Sequence, residues 1–212
     1  AAHCDFWNDT ARFVGVGLNA SHTVPVAEVI AHPNYTHRGS VAFDDVALLR
    51  LASPVDFAND VQPVCLHDGH EKLEAADEGF VSGYGFILDP ETGVTALGSP
   101  VLKDAQVSIF PNDVCQNRFD LLQRNWTMVQ SHICAGRFQR GVNHGDSGGQ
   151  LSSVGVDGRF YQVGVVSFGE DDNQSILQQD ASPAVFSRVS QYCEWISNTT
   201  NGVVTCGAKE DE

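Results

Sequence analysis

The sequence predicts an all-β fold, a sandwich or a barrel, with a helix near the C-terminus. Short β-like runs recur along the chain and are separated by Gly, Pro, Asn and Asp turns, which is typical of antiparallel strands. At 212 residues, the length fits one all-β domain or two smaller domains that contain helices. Residues 112–123 and 189–198 have a more helical pattern, with Asn112 and Asp113 as candidate caps. The β-like runs are residues 13–18, 24–31, 46–51, 80–83, 106–109 and 163–168.

Composition and charge exclude two classes of partner. The chain has 12 Lys and Arg against 27 Asp and Glu, which gives a formal net charge of −15. A nucleic-acid binder needs clustered cations to neutralise phosphates, and the sequence has no such cluster. No basic run could hold the chain on an anionic membrane surface, and no apolar stretch approaches the roughly 20 residues that span a bilayer. We therefore expect neither a nucleic-acid nor a membrane partner.

The cysteines and the glycosylation signals favour an oxidising, secretory environment. The six cysteines include no C-x-x-C pair, which argues against a zinc ribbon and a thioredoxin-type site. Each N-x-S/T sequon alone is weak evidence of glycosylation, but together with the cysteines the sequons predict an extracellular, secreted glycoprotein. They begin at Asn8, Asn19, Asn34, Asn125, Asn173 and Asn198.

The segment from Gly145 to Gly149, G-D-S-G-G, carries the strongest chemical signal. A bare G-x-S-x-G would be an ordinary turn, but here an acid precedes Ser147 and two glycines follow it directly before a possible strand. Such a turn lets the backbone approach a substrate carbonyl, and the N–H groups of Gly145 and Ser147 could converge on its oxygen. A serine hydroxyl is a poor nucleophile without a base, so a histidine and an orienting carboxylate must lie elsewhere.

His3 and Asp45 are the best candidates for these two partners. Most of the eight histidines lie in polar, loop-like contexts where surface exposure is the default, whereas His3 lies between small residues and Cys4. Asp44 and Asp45 precede the apolar run 46–49, and Asp45, which enters the strand, is the better candidate for a partly buried acid. A carboxylate in that position needs a hydrogen-bond donor, and an imidazole N–H is suitable.

Together these motifs resemble the trypsin/chymotrypsin family (S1) of serine proteases. His3 matches the A-A-H-C motif of the family, Asp45 its D-[IV]-A-L-L motif and Ser147 its G-D-S-G-G motif, in the family's chain order. The resemblance extends over residues 1 to about 196, and it predicts a protease domain over 1–206 and an acidic tail over 207–212. Weaker signatures fall between and after these motifs, in the family's order, at residues 54–55, 61–66, 81–85, 133–136, 166–169 and 183–186.

The resemblance implies two antiparallel Greek-key β-barrels with a C-terminal helix, and a serine endopeptidase that cleaves proteins or peptides through an acyl-enzyme. His3 would act as general base and then acid, Asp45 would orient it, and Ser147 would attack the scissile carbonyl. Gly145 and Ser147 would supply the oxyanion hole, while Asp146 would pair with the α-amine that zymogen cleavage frees. The substrate backbone would bind as an added strand to Ser167, Phe168 and Gly169.

The sequence departs from the family at its front and in its cysteines. Family members carry several strands before the A-A-H-C motif that do not precede it here, so we expect an incomplete first barrel and little activity of the isolated chain. The usual partner of Cys4 lies upstream, and Cys65 resembles the cysteine that tethers the domain to a pro-region or light chain. Without an upstream segment, both would be free thiols or improperly paired. The resemblance pairs Cys115 with Cys134, and elimination leaves Cys193 to pair with Cys206.

The specificity pocket also departs from the family pattern. The resemblance places Gly141 at the pocket floor, with Val142 and Ala184 in the wall. Because Gly141 is not an acid, cleavage after Arg or Lys lacks its usual charge partner, and we expect an apolar residue at P1, the position before the scissile bond. Acids at 170–172 leave open an attraction for basic substrates. Asn143 stands where many members have a pocket-wall cysteine, and the loop after it lacks the matching cysteine.

Two other classes of protein share some of these features. The first is a catalytically inert protease homologue that acts as a binding or regulatory module, although His3, Asp45 and Ser147 are all present. Gln150 and Tyr84 replace a common Pro and Trp of the family without touching the proposed chemistry. The second, an α/β-hydrolase, fails because those enzymes place the acid and the histidine after the serine. No H-E-x-x-H motif or EF-hand loop occurs, so we expect no metal and no cofactor.

Overall fold

The computed structural model describes residues 1–6, 13–17, 22–57, 61–70, 77–89 and 91–207. The predicted tail lies outside these residues from position 208 onward, as do the sequon asparagines Asn8 and Asn19. Strands and turns make up most of the described chain, as the sequence predicts. In the described part, no helix has both the length and the apolar character needed to cross a membrane.

The N-terminal half forms a small open sheet. The strands β1, β2 and β5 pair antiparallel in that order, and β3 and β4 form a separate hairpin. These described residues contain no closed barrel in this half, in agreement with the predicted incomplete first barrel. The elements are α1 His3–Phe6, β1 Phe13–Val16, β2 His22–Ala31, β3 Thr36–Arg38, β4 Val41–Phe43 and β5 Ala47–Leu51.

The described strands of the C-terminal half range from two to nine residues in length. The two-residue strands β8 and β9 pair only with each other, and β6 lies parallel to β13 at the edge of the main sheet. The strands are β6 Cys65–Leu66, β7 Glu78–Gly83, β8 Ile87–Leu88, β9 Thr95–Ala96, β10 Lys103–Phe110, β11 His132–Gly136, β12 Gln150–Val154, β13 Phe160–Phe168 and β14 Ala184–Arg188. The helices are α2 Asn112–Leu121, α3 Asn173–Leu177 and α4 Cys193–Thr199.

Six of these strands close into an antiparallel barrel. Around the barrel the order is β7, β10, β11, β14, β13 and β12, and the pairing of Leu151 in β12 with Val81 in β7 closes it. The neighbours β12, β7, β10 and β11 follow the order 4-1-2-3, which is a Greek key. The predicted Greek-key architecture is therefore present in the C-terminal barrel.

Apolar side chains from all six strands fill this barrel. Val81, Val107, Ile133, Leu151 and Phe186 are each at most 5% exposed and form one cluster. Burying a side chain of this size contributes about 1.5–3 kcal/mol, so the cluster gives the barrel a rigid interior. The loop before β12 and the end of β13 are consequently held in fixed positions.

The C-terminal helix attaches the N-terminal half to this barrel. Tyr192 and Ile196 pack against Val46, the residue just before β5, and all three side chains are buried. The Tyr192 hydroxyl also donates a hydrogen bond to Oδ1 of Asp44, 3.3 Å away. These contacts fix the turn between β4 and β5, which holds Asp45.

The first predicted helix is present as α2, but its predicted cap is wrong. Pro111 occupies the N-cap position, and no side chain caps the helix. Asn112 instead donates through Nδ2 to the carbonyl of Val129 at 2.7 Å and accepts from Nη2 of Arg188 at 3.0 Å. Tertiary hydrogen bonds thus take the side chain away from the helix end. The second predicted helix is present as the 3₁₀ turn Val189–Gln191 followed by α4, while α3 was not predicted.

Candidate active site

His3 and Asp45 are joined by two hydrogen bonds. Nδ1 of His3 lies 2.6 Å from Oδ2 of Asp45, and the His3 backbone N–H donates to Oδ1 at 2.8 Å. His3 begins the short helix α1, directly after Ala2, which is fully buried. The carboxylate therefore fixes both the backbone and the ring of His3.

Asp45 is a buried carboxylate with a full set of donors. Its side chain is 1% exposed, and Oδ2 also accepts a hydrogen bond from the Ser167 hydroxyl at 2.5 Å. The Ser187 hydroxyl donates to the Asp45 carbonyl at 2.8 Å. Burial alone would raise the pKa of Asp45, but the hydrogen bonds from His3 and Ser167 outweigh burial and lower the pKa below its usual value. The acid consequently stays ionised beside His3.

The same contacts change the proton affinity of His3. Burial of the imidazole lowers its pKa, but the hydrogen bonds and charges of Asp45 and Cys4 outweigh burial and raise the pKa to about 9. The direction follows from the neighbouring negative charge, because an imidazolium beside a carboxylate is stabilised. The carboxylate of Asp45 therefore stabilises the imidazolium form of His3.

Ser147 lies in a tight turn ahead of β12. The Asp146 N–H donates to the Asn143 carbonyl at 3.0 Å, and the Gly149 N–H donates to the Asp146 carbonyl at 2.8 Å. Gly145 has φ +89° and Gly148 has φ +82°, a left-handed conformation that favours glycine and explains why glycines flank the serine here. The turn leaves the Ser147 side chain exposed.

Ser147 and His3 line one cavity of about 240 Å³, which we call the specificity cavity. In the described part of the chain, no hydrogen bond joins the Ser147 hydroxyl to His3. Such contacts are often long in unliganded sites and tighten when substrate binds. The other residues that line the specificity cavity are Val142, Asn143, His144, Val166, Ser167, Phe168, Gly169, Glu170, Asp171, Ser175, Gln179, Ser182 and Ala184.

The Asp146 side chain turns away from Ser147 into a cradle of backbone N–H groups. The Gly85 N–H donates to Oδ1 at 2.9 Å, and the Asn143 N–H donates to Oδ2 at 2.9 Å. A Cβ atom on Gly83 or Gly85 would overlap the Asp146 carboxylate, so this cradle requires glycine at both positions. Sequence reasoning noted the V-S-G-Y-G signature but did not find this role. Asp146 also borders a second cavity of about 400 Å³.

The specificity cavity does not end at Gly141, the predicted floor. Gly141 lines the cavity of about 400 Å³ beside Asp146 instead, and the side chain of Gln179, a residue that lines both cavities, fills the space next to Gly141. Of the other predicted pocket residues, Val142 and Ala184 line the specificity cavity. Sequence reasoning did not identify Gln179, because this residue lies in a loop far along the chain from Gly141.

The acids at the rim are largely engaged by neighbours. Glu170 forms an ion pair with Nε of Arg124 at 2.5 Å. Burial raises the pKa of Glu170, and Arg124 opposes this rise. Asp172 caps α3 by accepting a hydrogen bond from the Ser175 N–H at 3.0 Å. Asp171 is exposed to solvent. Of these three acids, Asp171 is therefore the candidate for attracting a basic substrate.

The cysteines form two disulfides in the structure. Cys115 bonds to Cys134, which joins α2 to β11, and Cys193 bonds to Cys206, which closes the segment that contains α4. Cys4 and Cys65 are free thiols. In the described residues, no group of three or more His, Cys, Asp or Glu side chains could hold a metal ion.

Comparisons with known proteins agree with this architecture. The model of the trypsin family matches residues 1–196. Phenoloxidase-activating enzyme 1 of Spodoptera litura is 31% identical over 177 residues, which cover 83% of this chain and 43% of that protein. Human testisin is 32% identical over 174 residues, which cover 81% of this chain and 51% of testisin. Serine protease 7 of Drosophila melanogaster is 33% identical over 177 residues, 82% of this chain and 42% of the relative.

A structural comparison supports the same fold. The structure of neuropsin, a serine protease expressed in the limbic system of mouse brain, superposes with a TM-score of 0.73 and 24% identity. The match covers 94% of this chain and 82% of the neuropsin chain. The chain spans about half the length of the curated relatives it matches. Since the family model covers most of its residues, this chain belongs to the trypsin family (S1) of serine proteases.

Proposed function

We infer that the protein is a secreted serine endopeptidase that works through a Ser147–His3–Asp45 triad. The observation that carries this proposal is the double hydrogen bond between His3 and the buried Asp45, beside a cavity that Ser147 also lines. A buried carboxylate that orients an imidazole next to an exposed serine is the arrangement that activates a hydroxyl nucleophile.

The first half of the reaction forms an acyl-enzyme. Nε2 of His3 removes the proton from the Ser147 hydroxyl as the oxygen attacks the scissile carbonyl carbon. The N–H groups of Gly145 and Ser147 donate hydrogen bonds to the resulting oxyanion, and one such donor is worth roughly 3–4 kcal/mol in the transition state. Asp45 remains ionised and stabilises the imidazolium. The proton then passes from His3 to the amine leaving group as the peptide C–N bond breaks.

Hydrolysis of the acyl-enzyme repeats these steps with water. His3 removes a proton from the water molecule, the hydroxide attacks the ester carbonyl, and the proton returns to the Ser147 oxygen. The product acid leaves with the new C–O bond, and the enzyme regains its starting protonation state. No metal or cofactor takes part in this proposed sequence.

The proposed substrates are proteins or peptides with an uncharged, mainly apolar P1 side chain. Ser167 and Phe168 are the last two residues of β13, Gly169 follows them, and all three line the specificity cavity, so a substrate could pair there as an added strand. Val142 and Ala184 supply apolar wall to the P1 site. The ion pair with Arg124 neutralises Glu170, one of the two acids that line the cavity, and Asp171 remains exposed at the same rim.

We also propose that Asp146 couples catalysis to zymogen activation. The Asp146 carboxylate borders the cavity of about 400 Å³, and Val81, Phe86 and Ile87 contribute apolar lining. An α-ammonium group with an apolar side chain fits this combination of a negative charge and an apolar surface. Pairing there would hold the Gly145–Ser147 backbone in place for the oxyanion.

We also propose that the protein is secreted and that a disulfide attaches it to an upstream segment. Two disulfides and the sequons support passage through an oxidising compartment, and the sequon asparagines Asn34 and Asn125 are exposed. The free thiol of Cys65 is a candidate for a disulfide to an upstream pro-region or light chain.

Profiling of peptide cleavage tests the proposed function. The protein is expressed from its full coding sequence, activated by limited proteolysis, and incubated with a peptide library randomised at P1. We expect cleavage after apolar residues that is lost in Ser147→Ala, with Ser153→Ala, a serine of β12 outside the cavity, as the control. Absence of cleavage from a folded, activated protein would favour the inert homologue, and a strong Arg preference would overturn the P1 proposal.

A further inference from the structure

We propose that Gln179 sets the P1 specificity of this protein by closing the specificity cavity over Gly141 and keeping its inner end uncharged. This inference rests on the proposed protease function. A cavity closed in this way admits short or medium-sized uncharged P1 side chains and excludes Arg and Lys. Gln179 follows α3 in the chain and lines the specificity cavity.

The Gln179 side chain is held in place by both ends of its amide. Nε2 donates to the Val142 carbonyl at 2.6 Å, and Oε1 accepts from the Val142 N–H at 3.2 Å. Gln179 is only 5% exposed. An amide that pairs with both polar groups of one residue has a single orientation, so the side chain forms a rigid wall.

This amide occupies the space that a side chain at position 141 would need. A Cβ atom on Gly141 would overlap the Gln179 amide, and the overlap involves its oxygen, carbon and nitrogen. Glycine at position 141 and glutamine at position 179 therefore depend on each other, because the Gln179 amide occupies the space that a larger side chain at position 141 would need. An acid at 141 could not point into the specificity cavity while Gln179 is present.

The inner end of the cavity has no counterion for a basic P1 side chain. Gln179 is neutral and Ala184 is apolar; of the two acids that line the cavity, Glu170 is paired with Arg124 and Asp171 is exposed to solvent. Burying a guanidinium or ammonium without a partner is strongly unfavourable. Ser182 is 5% exposed and its hydroxyl has no hydrogen-bond partner among the described residues, so it can serve a neutral polar group.

Substitutions at the two linked positions test the inference. Gln179→Ala should deepen the cavity and raise kcat/KM for Phe and Tyr at P1 relative to Val by about tenfold or more. Gly141→Asp alone should not introduce cleavage after Arg, because its side chain meets Gln179. The double variant Gly141→Asp/Gln179→Ala should gain at least about tenfold in the Arg-to-Leu ratio of kcat/KM. Gln178→Ala, an exposed neighbour of the same type, is the matched control and should keep the wild-type profile.

A binding measurement keeps the inference testable without catalysis. We expect wild-type protein not to bind p-aminobenzamidine, an aromatic amidinium whose fluorescence reports burial, and the double variant to bind it. Tight binding by the wild type would overturn the inference, as would equal P1 profiles for Gln179→Ala and Gln178→Ala or a gain in Arg cleavage by Gly141→Asp alone. Failure of a fluorophosphonate to label Ser147 would instead refute the protease function, and amidinium binding would still report on the cavity.

Discussion

Replacing Asp45 by asparagine is the sharpest perturbation of the proposed triad, because the two side chains have the same shape. Three donors converge on the two carboxylate oxygens: the His3 backbone N–H on Oδ1, and His3 Nδ1 and the Ser167 hydroxyl on Oδ2. The backbone N–H can only donate, so the amide oxygen of the introduced side chain must take the Oδ1 position. The amide NH₂ group then faces Nδ1 of His3.

The consequence for His3 is a change of tautomer. Opposite an NH₂ donor, Nδ1 must become the acceptor, and the ring proton moves to Nε2, the nitrogen that should accept the Ser147 proton. The Ser167 hydroxyl can rotate to accept, so it does not resist the change. A triad with the wrong tautomer loses about 10⁴-fold in kcat, roughly 5.4 kcal/mol. Asp45→Asn should also lower the pKa of His3, because the neighbouring charge that raises it disappears.

The assay compares kcat/KM of Asp45→Asn and Ser167→Ala on one peptide, in proteins whose thermal melting confirms folding. Ser167→Ala removes one donor and leaves the tautomer unchanged, so we expect a loss of about ten- to a hundredfold, in line with one hydrogen bond to a charged group. If folded Asp45→Asn stays within about tenfold of the wild type, the reasoning about the tautomer is wrong.

Three further predictions follow from the geometry. Gly85→Ala would place a Cβ atom 2.5 Å from Cγ of Asp146, so kcat/KM should fall about 10²–10³-fold as the Gly145–Ser147 backbone shifts, and unchanged kinetics would contradict the role of the cradle. NMR titration of His3 should give a pKa above 6.5, toward about 9, and a midpoint below 6.5 would contradict the upward direction of the shift. The His3 imidazolium therefore stabilises the folded state fully at pH values below the unfolded pKa, and this stabilisation is lost as the pH rises through the folded pKa. Cys115→Ala/Cys134→Ala opens a loop of sequence separation 19 and should cost about 3 kcal/mol in urea unfolding, whereas a loss under about 1 kcal/mol would contradict that estimate.

Local patterns predicted the fold class well because strand runs and turn residues signal themselves over short windows. The runs at 80–83, 106–109 and 163–168 lie within β7, β10 and β13. The cap at the N-terminal end of α2 was harder to predict, because the Asn112 side chain makes its hydrogen bonds with residues that are distant in sequence. A capping preference is a local property, and tertiary contacts override it.

In the candidate site, too, local motifs identify some residues, whereas others depend on long-range contacts. His3, Asp45 and Ser147 stand in short motifs whose residue types already imply their chemistry. Ser167 was predicted only to bind substrate backbone, and its hydrogen bond to Asp45 spans 122 positions. Gln179 had no sequence signal, since its contact with Val142 depends on how the loop after α3 folds back over 37 positions. Sequence reasoning could locate the reacting groups, but it could not locate the residues that shape the site around them.

Labelling with a fluorophosphonate tests the central claim most directly. The protein is expressed from its full coding sequence, activated, and treated with the reagent, and the modified residue is identified by mass spectrometry. We predict one equivalent of phosphonate on Ser147, no label on Ser147→Ala, and labelling slowed by at least about 10³-fold in His3→Ala. Absence of label from the folded, activated protein, or labelling at a rate that does not depend on His3, would contradict the proposed triad.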